Sequence, residues 1–202
     1  MTWLERGTVV VVDDATVIER SWQEPKYFGV LFDRHAPSIH RYIARRVGRN
    51  AIDDLVAETF VGAFSSRLRY NLAYRDARPW LYGIATHVIG SHRRDELRQF
   101  RISQAMWPAR PLLGHADRIV RDVTARSMRE PLTAALSALA AGDRDVLILI
   151  AWEQLTYGEV ARALEIPVGT VRSRLHRARA SVRQTLAQVG TLTTVEEVLN
   201  YD

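Results

Sequence analysis

The densest chemistry in the chain lies in "TYGEVARALEIPVGTVRSRLHRAR", Thr156 to Arg179. Arg172, Arg174, Arg177 and Arg179 follow one another there with no acid among them. A guanidinium is planar, permanently charged and forked, which matches a phosphate or the O6/N7 edge of guanine. The chemistry to expect is therefore binding to a polyanion, with duplex DNA the natural partner.

Such arginines need a scaffold, and the surrounding residues spell one. Thr156 is a helix N-cap with Glu159 three residues on, the pattern of a capping box. Leu155 and Val160 have the spacing of a hydrophobic staple. Tyr157, Val160, Ala161 and Leu164 form the buried face of a short helix, "EIPVG" is the turn, and Ile166 plugs between helices. Pro167 starts the second helix, its φ already set. In that helix Val171, Leu175, Ala178, Val182 and Leu186 recur at i, i+4, i+7, i+11 and i+15. The face opposite this stripe holds Ser173, His176, Arg177, Ala180 and Gln184, with Arg172 and Arg174 flanking it and Arg179 and Arg183 further along. Cap, staple, turn and acid-free face together predict a recognition helix entering a major groove. An ordinary solvated basic face is the weaker reading.

The whole chain agrees. Its 202 residues have room for two small domains, and 28 Lys+Arg against 23 Asp+Glu leave a net charge of +5. Without cysteine there is no disulfide framework and no thiolate metal site. His87 with His92, and His35 with His40, stand five apart, the wrong spacing for a helical ligand pair, so no metal is expected. No Gly-rich phosphate loop or nucleophile–base arrangement appears, which points away from an enzyme and from a cofactor. No apolar run reaches the roughly 20 residues of a membrane span, and no leader pattern opens the chain, so a cytoplasmic protein is expected.

Upstream, residues 1–25 read as an N-terminal extension in which "TVVVV" is a short strand or an apolar tag. Asp13-Asp14 resembles a phospho-receiver pocket in isolation, but no strand–helix alternation follows it. From Lys26 to Gly48, Phe28, Leu31, Phe32, Ile39, Tyr42 and Ile43 have helical spacing. Pro37 is expected to interrupt that run or start a second helical piece, Gly48 to stop it and Asn50 to cap the next helix. The next core face is Ile52, Leu55, Val56, Phe60, Ala63 and Phe64. Ser65 to Arg78 is a loop rich in Arg and Tyr. Pro79 then opens a helix with the stripe Leu81, Ile84, Ala85, Val88 and Ile89. Residues 26–98 thus form a first helical domain and 99–129 a flexible linker. From Arg101 to Arg129 that linker has six Arg against two Asp, a net +4. Residues 130–186 form the second domain and 187–202 a tail. The fold class is all-α: two small helical domains, the second with a helix-turn-helix.

Three segments, in the family's order along the chain, resemble the extracytoplasmic-function family of bacterial RNA polymerase sigma factors. "YGEVARALEIPVGTVRSRLHRAR" is similar to the family's −35 reader. "IDDLVAETFVGAF" resembles its polymerase-binding helix, with Ala57 where the family carries Gln. "RPWLYGIATHVIGSHRR" resembles the helix after the −10 loop. The resemblance covers residues 26–98 and 130–186. It implies a non-catalytic subunit that binds core polymerase, through a coiled coil of the largest catalytic subunit and the flap, and that reads promoter DNA. An anti-sigma partner follows by the same analogy.

Carried onto this chain, the resemblance places −35 contacts on Thr170, Arg172, Ser173, Arg174, His176, Arg177 and Arg179, with His176 the variable position. It places the −10 contacts on Tyr70, Asn71, Tyr74, Trp80, His87, Ser91, Arg93 and Arg94. The loop aromatics and Asn71 suit unstacked bases. His87, Ser91, Arg94 and Arg98 share one stripe, and Gly83 and Gly90 give a strand room to approach. Trp80 is evenly balanced between core anchor and base contact. Asp53, Asp54 and Glu58 become an acidic patch for polymerase, and Leu55 stays in the core. The linker's charge favours nucleic acid. The alternative is a stand-alone helix-turn-helix regulator of LuxR type, which has no need of residues 51–98.

Overall fold

A computed structural model describes residues 4–5, 8–9, 12–106 and 126–188, with side chains for 12–100 and 131–187. It divides into two compact units, Met1–Asp95 and Glu96–Asp202. Apart from a two-residue antiparallel ladder, β1 (Leu4–Glu5) with β2 (Thr8–Val9), the regular structure is helical.

The first unit starts earlier than the sequence pattern predicts. Helix α1 (Asp14–Gln23) buries Asp14, Ala15, Val17, Ile18 and Ser21, so residues 14–23 belong to the domain and not to an extension. Asp13 caps α1: its carboxylate accepts from the Thr16 N–H at 2.9 Å, a bond that lowers the Asp13 pKa. Helix α2 (Phe28–Ala44) continues through Pro37, which lies on the exposed face. Gly48 is not a left-handed stop. Instead α2 ends at Ala44 with Arg45 as its C-cap, and Gly48 leads into a 3-10 turn, Arg49–Ala51, that contains Asn50 and precedes α3 (Ile52–Ser66).

The core of this unit joins α1, α2, α3 and the start of α4 (Arg78–Met106). Leu31, Ile39, Tyr42, Ile43, Leu55, Phe60, Ala63, Leu81, Ala85, Val88 and Ile89 are buried, in line with the periodicity. Phe32 is exposed on one side yet stacks edge-on to Phe60, with centroids 4.8 Å apart. Tyr42 packs on Tyr82 at 5.1 Å and shares a 2.6 Å hydrogen bond with Thr86, which locks α2 to α4. The buried Arg46 donates to the Tyr42 hydroxyl and lies over the Tyr42 ring.

Helix α4 continues to Met106 and α5 (Arg126–Ala138) begins at Arg126, so both ends of the expected linker are helical. The tail 187–202 lies largely outside the described residues. In the second unit α6 (Ala141–Ala151), α7 (Tyr157–Ala163) and α8 (Val168–Gln188) pack about Val146, Leu149, Leu155, Val160, Val171, Leu175, Ala178, Val182 and Leu186, all buried. Arg144 donates to the carbonyls of Ser137 and Leu139, closing the end of α5.

Candidate nucleic-acid interface

The helix-turn-helix forms as its sequence specifies. The Thr156 hydroxyl accepts from the Glu159 N–H at 3.3 Å while the Glu159 carboxylate accepts from the Thr156 N–H at 2.7 Å. The turn closes with two bonds, Ile166 N–H to the Ala161 carbonyl and Glu165 N–H to that of Arg162. Glu165 takes the left-handed conformation this closure demands, at φ 53°. Ile166 is half-buried beneath it.

On α8 the predicted buried stripe is buried, and the opposite face is open. Arg172, Ser173, His176, Arg177 and Arg183 are exposed, and Thr170 is half-buried. Beside α7 a shallow cavity of about 170 Å³ gathers Tyr157, Arg172, His176, Arg179 and Arg183. This is a shallow hollow lined mainly by basic side chains.

Two arginines behave differently. Arg174 is half-buried and lies against Gly142 of α6, where an added Cβ would stand 2.6 Å from its Nη1. It turns toward its own domain rather than outward with Arg172. Arg177 gives its Nε–H and Nη2–H to Asp143, at 3.1 and 2.8 Å, and its pKa is raised by that bond. The sequence reading missed Asp143, which stands in the first turn of α6 and looks like a helix-dipole complement.

In the first unit the loop before α4 is a tied structure. Tyr70 is not available to stack on a base: it is buried, and its hydroxyl donates to the Tyr74 carbonyl at 2.6 Å. Its ring packs on the half-buried Trp80 of α4, centroids 4.9 Å apart, so the two aromatics anchor the loop to that helix. Asn71 and Tyr74 are exposed, and the Asn71 Oδ1 accepts from the Ala73 N–H at 3.0 Å, holding a turn. On α4, His87 and Arg94 are exposed and Ser91 half-buried, one open stripe beside Gly90. Arg93 donates to the Arg46 carbonyl and so braces the end of α2.

The missed residues here lie on α1 and α2. The Asp14 carboxylate accepts from the Ala77 N–H at 2.9 Å, sits 2.8 Å from His35 Nε2 and pairs with Arg34. The Asp14 N–H donates to the Arg75 carbonyl at 3.1 Å, and Trp22 Nε1 reaches the Arg67 carbonyl at 3.2 Å. The loop is therefore strapped along α1. The available signal was Asp13-Asp14 followed by Thr16, a cap before an amphipathic run.

The acidic patch is where the sequence puts it. Asp53, Asp54 and Glu58 are exposed on α3, with Asp53 3.8 Å from His40. Val61, one turn beyond Glu58, is 64% exposed and extends that face with apolar surface. Among the described residues no group of three or more His, Asp or Glu could hold a metal, and no helix is long and apolar enough to cross a membrane.

Two family descriptions match the chain: "Sigma-70 region 2" over residues 31–99 and "Sigma-70, region 4" over 129–182. It is 32% identical over 143 residues to "ECF RNA polymerase sigma factor SigC" of Mycobacterium tuberculosis, covering 70% of this chain and 73% of that protein. It is 31% identical over 163 residues to "RNA polymerase sigma factor CarQ" of Myxococcus xanthus, covering 80% and 90%. Among solved structures, the sigma factor RpoE of Bartonella quintana, in complex with the anti-sigma factor NepR, aligns with TM-score 0.60 at 21% identity. That alignment covers 80% of this chain and 98% of the other. CnrH, in complex with the cytosolic domain of CnrY, gives TM-score 0.60 at 23% identity over 87% and 97%. At these identities the structural likeness is one of fold.

Proposed function

The chain belongs to the extracytoplasmic-function family of RNA polymerase sigma factors, and from that membership we propose how its residues divide the work. It is a promoter-specificity subunit that binds core polymerase and directs initiation at −35 and −10 elements. It acts on the polymerase's own site and carries no reaction of its own, and its place is with the polymerase in the cytoplasm.

The exposed face of α8 reads the −35 duplex. Arg172, Ser173, His176 and Arg177 reach base edges, Arg179 and Arg183 neutralise phosphates along the cavity beside Tyr157, and the Thr170 hydroxyl donates to a phosphate oxygen. In the first unit Asn71, Tyr74 and the stripe His87, Ser91 and Arg94 meet the melted −10 strand. Tyr70 and Trp80 hold that loop's shape, and Arg93 keeps α4 on α2. Asp53, Asp54, Glu58 and the exposed Val61 face a basic, apolar-edged helix of polymerase. An anti-sigma protein is a fitting regulator, since the solved neighbour RpoE is bound to one, the anti-sigma factor NepR.

One observation carries this reading: a helix-turn-helix with an acid-free basic face on α8 and a strapped polar loop occur in one chain, each in its family's position. A stand-alone regulator needs only the first. The test is reconstitution with core polymerase on a promoter library randomised at both elements. Selected sequences should carry two conserved blocks, with permanganate-reactive thymines in the downstream one. Duplex binding without any melted block would favour the stand-alone regulator.

A further inference from the structure

Asp143 and Gly142 form the first turn of α6, and together they seat two arginines of α8. Arg174 lies over Gly142, in space a Cβ would fill. Arg177 is gripped along its Nε/Nη2 edge by the Asp143 carboxylate, which is 13% exposed, while Arg177 itself stays 59% exposed. An acid-free run of arginines in the sequence therefore acquires one acid from another helix.

The geometry matters because a guanidinium has two usable edges. With Nε–H and one Nη2–H given to the carboxylate, the Nη1 and the second Nη2–H remain as a planar pair directed away from it. That pair still fits the O6/N7 edge of guanine. The carboxylate fixes the plane of the fork, so less rotational freedom is lost on binding. It also cancels the positive charge that a free arginine would offer to any phosphate. An ion pair with one partner largely open to solvent contributes little stability, so stability is a weak reason for the pair.

We propose that Asp143 is a positioning residue that determines specificity: it turns Arg177 from a general phosphate contact into a group that reads one base pair of the −35 element. The inference rests on α8 being the −35 reader and goes beyond it by assigning a role to a residue on α6. Arg172, His176 and Arg183, on the other flank of the exposed face, keep the phosphate-binding and remaining base contacts.

The experiment uses holoenzyme, wild type and Asp143→Asn, selecting from promoter duplexes randomised across the upstream element with the downstream element fixed. The salt dependence of binding by the full chain to a duplex of unrelated sequence is measured in parallel. Asparagine keeps size and shape, so an unchanged melting temperature is expected. At one upstream base pair the guanine preference should fall about ten-fold, with the other positions retained. Binding to unrelated duplex should tighten, and the slope of log K against log salt should steepen by about 0.9, one further phosphate contact. Arg177→Gln should lose the same base preference without the steeper slope, and the double variant should match it. A merely structural pair would move neither readout. Asp143→Asn selecting the wild-type element at wild-type strength, or leaving the salt slope unchanged, would overturn the inference. A wild-type holoenzyme that selects no upstream element would instead overturn the −35 assignment itself.

Discussion

Asp14 carries a negative charge at a place only 4% open to solvent, where His35, Arg34 and the Ala77 N–H converge on it. Burial alone would raise its pKa, but the bonds to His35, to Ala77 and to Arg34 outweigh burial and hold it below the ordinary carboxylate value. A depressed folded pKa means stability that is present above the unfolded value, near 3.9, and lost as pH falls through the folded one. The chain should therefore lose stability below about pH 4, and Asp14→Asn should flatten that limb of a urea-unfolding series. At neutral pH, Asp14→Ala should cost on the order of 3 kcal/mol, since it strands its partners in a buried site. The same variant frees the strap on the loop at Ala77, so permanganate reactivity at the −10 element should drop in holoenzyme. Full reactivity with full destabilisation would assign Asp14 to stability alone.

At the scale of elements, the seven-residue α7 is too short to persist by propensity, and its ends hold it. Thr156→Ala removes one half of the capping box and should cost about 1 kcal/mol, read from the chemical-denaturation midpoint. Glu165 works in the opposite sense. A non-glycine residue at φ 53° carries about 1–2 kcal/mol of strain, so Glu165→Gly should gain about 0.5–1 kcal/mol after its own entropy cost. If stability falls instead, Glu165 makes a compensating interaction in the turn. The capping box was legible because it is local: two residues three apart satisfy each other's backbone. Pro37 was misread because its local cost is outweighed by the buried face of α2, where Leu31, Ile39, Tyr42 and Ile43 hold the helix on both sides of it.

For the whole molecule, two units with separate tasks predict separable defects. Asp54→Arg combined with Glu58→Arg should lower affinity for core polymerase at least about ten-fold at low salt, while duplex binding through α8 stays at wild type. Measured by fluorescence anisotropy, an equal loss in both assays would mean that the substitutions damage the fold rather than a docking face. The second unit was almost fully legible, because cap, staple, turn and stripe lie within one short segment. The first was legible in its stripes but not at its N-terminus, where α1 looks like an appendage until its buried face is seen against α2 and the loop.

What the sequence determined by itself is whatever depends on near neighbours: the periodic stripes, the capped helix pair, the basic face of α8 and the acidic start of α3. These are set by spacing along one helix, which a one-dimensional reading contains. The tertiary structure alone decided which polar groups remain free. Tyr70 was spent on the Tyr74 carbonyl and on Trp80, Arg93 on the Arg46 carbonyl, and Arg177 on Asp143, 34 residues away. Whether a side chain faces a ligand or a neighbour depends on what other helices bring beside it. For a long charged or aromatic side chain, one hydrogen bond from a distant element is enough to change the answer.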